Sequence, residues 1–224
     1  MIELFIAGYP RSGNTWLNRT LCDLMNAPLQ NLPNTEMEWS YSEIREDWCI
    51  VRKTHWYVQD WSGNGYIQGS TPRMVFIYRD PRDTAVSVMH YKNATNLKEV
   101  IRGLNKDSDK GYGIRSMING WIKYQPDFII SYEDLHFMPH KKLSELYIKV
   151  TGREVSEEKV SRVIERQKFS NLAPQYPHSM RKGIVGDWKN YFTRDDAVTF
   201  SNLYQDLLED LGYEENNSWI NWKD

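Results

Sequence analysis

The chain has 224 residues, of which 28 are Lys or Arg and 30 are Asp or Glu, for a formal net charge of -2. That length supports a single domain with a core of its own, and the balanced charge argues against a nucleic-acid binder, which is usually basic overall. Cys22 and Cys49 lack metal-type spacing and are too few for a disulfide framework, and no apolar run approaches the ~18 residues of a membrane span.

The opening residues "MIELFIAG" carry Glu3 where a signal peptide would be basic, and the apolar run is short. A reducing, cytoplasmic setting with no membrane partner is the expectation. "IELFIAG" reads as a buried strand, and "TWLNRTLCDLM" as a helix with an apolar stripe at Trp16, Leu17, Leu21, Leu24 and Met25. Strands follow at 49–55 and 73–78. Asp80 then caps a helix that has Pro81 at its first position. Residues 127–132 read as another strand, and helical patterns fill 114–124, 141–150, 156–166 and 195–211. Residues 30–46 and 93–113 are polar and aperiodic and read as loops. The alternation predicts an α/β fold, three layers with a central, mostly parallel sheet covered on both faces, in one domain over residues 1–224.

"GYPRSGNT" (residues 8–15) joins the first strand to the first helix. It nearly fits the phosphate-loop pattern G-x-x-x-x-G-K-[ST], with Asn14 in place of the lysine. A glycine-rich turn opening a helix aims several backbone N–H groups and the helix dipole at one point, where an anion can sit. Ser12, Asn14 and Thr15 add side-chain donors and Arg11 adds a permanent charge. The plain alternative is a tight turn that binds nothing. A Mg–ATP site is a poorer fit: Asn14 cannot neutralise phosphate, and Asp80, the candidate metal ligand, also reads as the helix cap.

Further along, "VRKTH" ends a strand with His55, placed where parallel sheets build their sites and suited to act as a general base. Lys53, two residues earlier, faces the same side. Arg79 ends another strand, and Ser87 lies two turns into the helix after it. Arg181, Lys182 and Gly183 in "MRKGIVGDWKNYF" offer two charges and a pliant backbone. Each could be a solvated surface group. Together they suit a ligand with two separated phosphate-like groups.

These stretches resemble the sulfotransferases that use 3′-phosphoadenosine 5′-phosphosulfate (PAPS), the cytosolic type above all. "YPRSGNTWL" is similar to that family's 5′-phosphosulfate loop, usually YPKSGTTW, and "KTH" to the strand end with its histidine. "YRDPRDTAVSVMHY" is similar to the 3′-phosphate strand and helix, "YEDL" recurs after a later strand, and "RKGIVGDWKNYFT" matches the C-terminal element. The matches run in family order from residue 9 to residue 193.

The resemblance implies sulfuryl transfer from PAPS to a hydroxyl or amine of a small-molecule or glycan acceptor, releasing PAP, with no metal required. Arg11, Ser12, Gly13, Asn14, Thr15 and Trp16 would hold the 5′ side, with Trp16 against adenine. Arg79, Ser87, Arg181, Lys182 and Gly183 would hold the 3′-phosphate, and Tyr132 and Phe169 would contact adenine. His55 would be the base, with Lys53 and Arg11 acting on the leaving group. The chain departs from the pattern in having Arg11 for the usual loop lysine and Asn14 for a threonine. The family's dimer motif K-x-x-x-T-V-x-x-x-E survives only at Lys189 and Thr193, because Arg194 and Val198 break it, so the oligomeric state stays open. Trp48, Trp56, Tyr57, Trp61 and Tyr66 could line an acceptor site or simply pack. A kinase-like enzyme and a non-catalytic nucleotide binder are the competing readings.

Overall fold

In the computed structural model the described residues are 1–27, 49–55, 57–58, 70–105, 113–176 and 180–223. The expected loop at 30–46, and Trp48, Trp56, Trp61 and Tyr66, lie outside them. Four strands, β1 (Ile2–Ala7), β2 (Cys49–Thr54), β3 (Thr71–Tyr78) and β4 (Phe128–Ser131), form one sheet in the order β2-β1-β3-β4. Every pairing is parallel, and Ala7 sits opposite both Thr54 and Phe76. Parallel pairing requires crossovers, and these place helices on both faces.

Side-chain alternation divides the core accordingly. Phe5 and Ala7 of β1 and Met74 and Phe76 of β3 join one cluster, while Leu4, Ile6, Val75 and Ile77 join the other. The first cluster is closed by α2 (Pro81–Tyr91), α3 (Leu97–Gly103), α4 (Ile114–Tyr124) and α9 (Arg194–Asp210). The second is closed by α1 (Asn14–Leu24), α5 (Tyr132–Phe137), α6 (Pro139–Thr151) and α7 (Glu157–Arg166). A short α8 (Phe169–Leu172) and two 3-10 helices, Asp187–Asn190 and Asn217–Asn221, complete the described elements.

Three details differ from the sequence expectation. The expected loop at 93–113 contains α3: the Asn96 side chain accepts the Glu99 N–H, and Leu97 and Ile101 are buried. Tyr132 opens α5 instead of closing β4, because the Ser131 side chain caps a new helix at Asp134 N–H. His55 lies one residue past β2. The Asp80–Pro81 helix start is as expected, with the carboxylate accepting the Arg82 N–H. Tyr57 is core, its ring buried and its hydroxyl donating to Gly113 O at 3.4 Å. Thr193, from the partial dimer motif, is the N-cap of α9, in a reciprocal capping box with Asp196.

Arg82 ties the first layer to the C-terminal residues. It is buried, pairs with Asp80 at 2.8 Å and with Glu214, and lies 4.2 Å and 4.7 Å from the ring centroids of Trp188 and Trp219.

Candidate active site

Because the strands are parallel, their carboxyl ends share one edge of the sheet, and there the chain opens a cavity of about 400 Å³. The turn after β1 contributes Arg11, Gly13, Asn14, Thr15 and Trp16. The end of β2 contributes Lys53 and His55, and β3 with α2 contributes Arg79 and Ser87. Tyr132 comes from the end of β4, and Phe169, Arg181, Lys182 and Gly183 come from the C-terminal segment. Of the residues expected from sequence, Ser12 alone is off the wall: its side chain is buried and its N–H donates to Tyr9 O at 3.1 Å.

The β1–α1 turn needs unusual backbone. Arg11 has φ 74° and Gly13 φ 98°, and Gly13 caps α1 without a side-chain partner for the first-turn N–H groups. Those groups remain for an anion. Asn14 braces the turn from within, its Nδ2 donating to Gly8 O at 2.9 Å and Tyr9 O at 3.2 Å. Asn14 at the lysine position of an ATP loop is thus a structural strut, and its amide hydrogens are spent on the backbone. A Cβ on Gly13 would meet Tyr132 Cδ2 at 2.7 Å in a left-handed conformation. Gly13→Ala is therefore expected to weaken nucleotide affinity at least about tenfold and to destabilise by roughly 1–3 kcal/mol, read by calorimetry and chemical unfolding. Wild-type values for both would mean that the turn tolerates a side chain.

His55 Nδ1 lies 2.8 Å from Gly8 O. A carbonyl only accepts, so Nδ1 carries the proton in the neutral ring and Nε2 holds the free lone pair. The 3.1 Å approach of Asn14 Nδ2 to the same Nδ1 is then a contact between two donors. Desolvation by the surrounding walls pushes the His55 pKa below its ordinary value, with the charge of Lys53 adding to it and the Gly8 carbonyl opposing. Lys53 Nζ donates to Thr15 Oγ1 at 3.4 Å, and desolvation followed by the charge of Arg11 lowers its pKa too. Both side chains still meet solvent at the mouth.

Arg11 Nε donates to Ser87 Oγ at 3.1 Å, and its guanidinium lies 4.9 Å from the Tyr91 ring centroid. The residues expected at opposite ends of a nucleotide therefore touch. Arg79 Nη2 bonds Asp83 Oδ2 at 3.2 Å and Ile184 O at 2.7 Å, and its guanidinium lies 4.3 Å from the Tyr132 ring centroid. Its buried Nε has no partner among the described residues. Arg181 Nη2 reaches Asp187 Oδ2 at 2.6 Å, Lys182 Nζ reaches Asp187 Oδ1 at 3.3 Å, and both donate to the Tyr191 hydroxyl. Gly183, at φ 66°, packs against Phe169, whose Cδ2 would be 2.4 Å from an added Cβ.

Trp16 Nε1 donates to Gln167 O at 3.0 Å, which holds the indole edge-on to Tyr132 with centroids 5.5 Å apart. Trp16, Tyr132, Phe169 and Gly183 also border a second, largely apolar cavity of about 180 Å³. Among the described residues, five cations line the main cavity and no carboxylate does. Asp80, the sequence candidate for Mg²⁺, is buried and engaged by Arg82 Nε and Nη2. No group of three His, Cys, Asp or Glu able to hold a metal occurs among the described residues.

The family model described as "Sulfotransferase domain" matches residues 2–212. The chain belongs to the family of PAPS-dependent sulfotransferases. The rabbit (Oryctolagus cuniculus) amine sulfotransferase is 23% identical, the alignment covering 93% of this chain and 81% of the relative. Mouse (Mus musculus) sulfotransferase 2B1 is 25% identical, covering 92% and 71%. Among solved structures, mouse sulfotransferase SULT7A1 complexed with PAP superposes with a TM-score of 0.72 at 18% identity, covering 95% of this chain and 86% of that one. Retinol dehydratase in complex with androsterone and PAP gives 0.66 at 18% identity, covering 93% and 81%.

The cavity of this sulfotransferase also has residues in and behind its wall that sequence reasoning missed. Asp187 and Tyr191 hold Arg181 and Lys182, Asp83 holds Arg79, and Pro10, Tyr91, Met180 and Ile184 fill the wall. Asp187 and Tyr191 lie inside the "RKGIVGDWKNYF" stretch, so the stretch itself carried the signal.

Proposed function

We propose that the enzyme transfers the sulfuryl group of PAPS in line to a hydroxyl or amine of a small-molecule or glycan acceptor, with His55 as general base. The observation that carries this is the 2.8 Å approach of His55 Nδ1 to Gly8 O, which assigns the proton to Nδ1 and leaves Nε2 as the acceptor of a residue lining a cavity walled by five cations. The residues present fit the nucleotide. Arg79 has a buried N–H with no partner among the described residues, the α1 turn has backbone donors without a side-chain cap, and an apolar slot suited to a base lies beside Trp16 and Phe169.

When bound, PAPS supplies the sulfuryl group and a 5′-phosphate as leaving group. The α1 turn from Arg11 to Trp16 holds the 5′ side, with Ser12 and Asn14 acting through the shape they give the turn. Arg79, Ser87, Arg181, Lys182 and Gly183 hold the 3′-phosphate, and Trp16, Tyr132 and Phe169 bracket adenine. His55 Nε2 takes the acceptor's proton as the acceptor heteroatom bonds sulfur and the bond from sulfur to the phosphate oxygen breaks. The Gly8 carbonyl steadies the imidazolium through Nδ1–H. Lys53 and Arg11 offset the charge that builds on the departing oxygen. The names of relatives agree with such acceptors, one being an amine sulfotransferase and another protein binding androsterone.

Calorimetry with PAP and with Mg–ATP separates this reading from a kinase-like one. The expected result is tight PAP binding and at least about 100-fold weaker Mg–ATP binding. Tight Mg–ATP binding with none for PAP would overturn it.

A further inference from the structure

Asp83 lies in the first turn of α2, and its side chain is fully buried. Its Oδ2 accepts from Arg79 Nη2 at 3.2 Å and from the Gly186 N–H at 2.8 Å, while its Oδ1 accepts from the Trp188 N–H at 2.8 Å. Two of these donors belong to a backbone segment more than 100 residues further along the chain. The same Arg79 Nη2 also donates to Ile184 O at 2.7 Å. One carboxylate thus joins the strand-end arginine to the turn that follows Gly183. Three donors converge on the two oxygens of one carboxyl group.

Arg79 is held at one terminal nitrogen and across one face. Asp83 and Ile184 O take both hydrogens of Nη2, and the face of the guanidinium lies against Tyr132. Its Nε has no partner among the described residues. A guanidinium fixed this firmly recognises one anion position, because the supporting groups set its geometry before any ligand arrives. Gly183, on the other wall, is fixed through Ile184 and Gly186 by the same carboxylate.

We propose that Asp83 is a positioning residue that sets the spacing between Arg79 and the 183–188 turn, and thereby the enzyme's preference for a nucleotide bearing a 3′-phosphate. The proposal rests on the nucleotide reading above. Asp83 need not touch the ligand; it acts through Arg79 and the turn.

Calorimetry with PAP and with adenosine 5′-phosphate, which lacks the 3′ group, measures that preference as a ratio of affinities. Asp83→Asn keeps the shape but turns one acceptor into a donor, so it is expected to weaken PAP about 10–100-fold, the scale of a lost hydrogen bond to a charged group. Affinity for adenosine 5′-phosphate should move less than about threefold. In turnover, KM for PAPS should rise far more than kcat falls. A parallel loss for both nucleotides would show that Asp83 merely supports the fold, and an unchanged PAP affinity would show that it positions nothing; either overturns the proposal. Arg79→Lys tests the link from its other side, and also serves if Asp83→Asn does not fold. It keeps the charge but cannot bridge Asp83 and Ile184 O while lying flat on Tyr132, so the 3′-phosphate preference should fall. Wild-type preference in Arg79→Lys would also overturn the proposal. Wild-type enzyme that binds no PAP at all would instead refute the nucleotide reading.

Discussion

His55→Ala is expected to lower kcat by about 10²–10⁴-fold, the usual worth of a positioned base, and to leave PAP affinity within about threefold. The split follows from the geometry. His55 stands at the end of β2, and its neighbours at the turn are Gly8 and Asn14, whereas the cations assigned to the 3′-phosphate come from β3 and the C-terminal segment. Removing the imidazole deletes a proton acceptor and leaves the phosphate contacts in place. The pH profile supplies a second readout. Desolvation holds the His55 pKa below the ordinary imidazole value, helped by Lys53. The neutral, competent ring therefore persists to lower pH, and kcat/KM should fall only as pH drops through a value below ~6.5. Wild-type turnover in His55→Ala, or the same acid limb in its residual activity, would rule His55 out as the base.

Arg82→Met should destabilise the fold by about 3–5 kcal/mol, the cost of leaving a buried charge unpaired. Arg82 is the shared partner of Asp80 and Glu214 and fills the space between Trp188 and Trp219. Burial alone would lower its pKa, but the two acids outweigh that and raise it. Removing the guanidinium leaves Asp80, itself buried, with its N-cap bond and no counter-charge. Lysine should rescue little, because a single ammonium cannot reproduce the planar fork between two indoles. Chemical unfolding should show a lower midpoint with an unchanged slope. A midpoint within experimental error of wild type would mean that the stacked pair contributes nothing.

What the sequence revealed follows from how local each signal is. The strand–turn–helix at 2–24 was legible because an apolar run, two glycines and an amphipathic stripe stand in immediate succession. Asp80–Pro81 fixed the start of α2 for the same reason. The helix α3 carried a readable cap, Asn96 with Glu99 three residues on, but polar neighbours on both sides hid a short helix that buries Leu97 and Ile101. Site membership was legible as a set of strand ends, since parallel strands must deliver their carboxyl ends together. Individual roles were less so. Asn14 looked like an anion donor, yet its amide is consumed by Gly8 and Tyr9 carbonyls that only the folded turn brings within reach. Asp83 and Arg82 gave no signal beyond an ordinary charged helix start. Their partners, Gly186 and Trp188 for one and Glu214, Trp188 and Trp219 for the other, lie more than 100 residues away and meet them only after the layers pack.

The cavity wall runs from Pro10 to Ile184, so its two halves leave the ribosome far apart in time. The turn after β1 and His55 emerge well before the Arg181–Gly183 turn. An anion therefore meets only half of the cavity wall until the second half follows. The sheet and its first helices must find one another through strand pairing and apolar contacts of their own, and an anion that spans both halves could reward only a chain that has already closed.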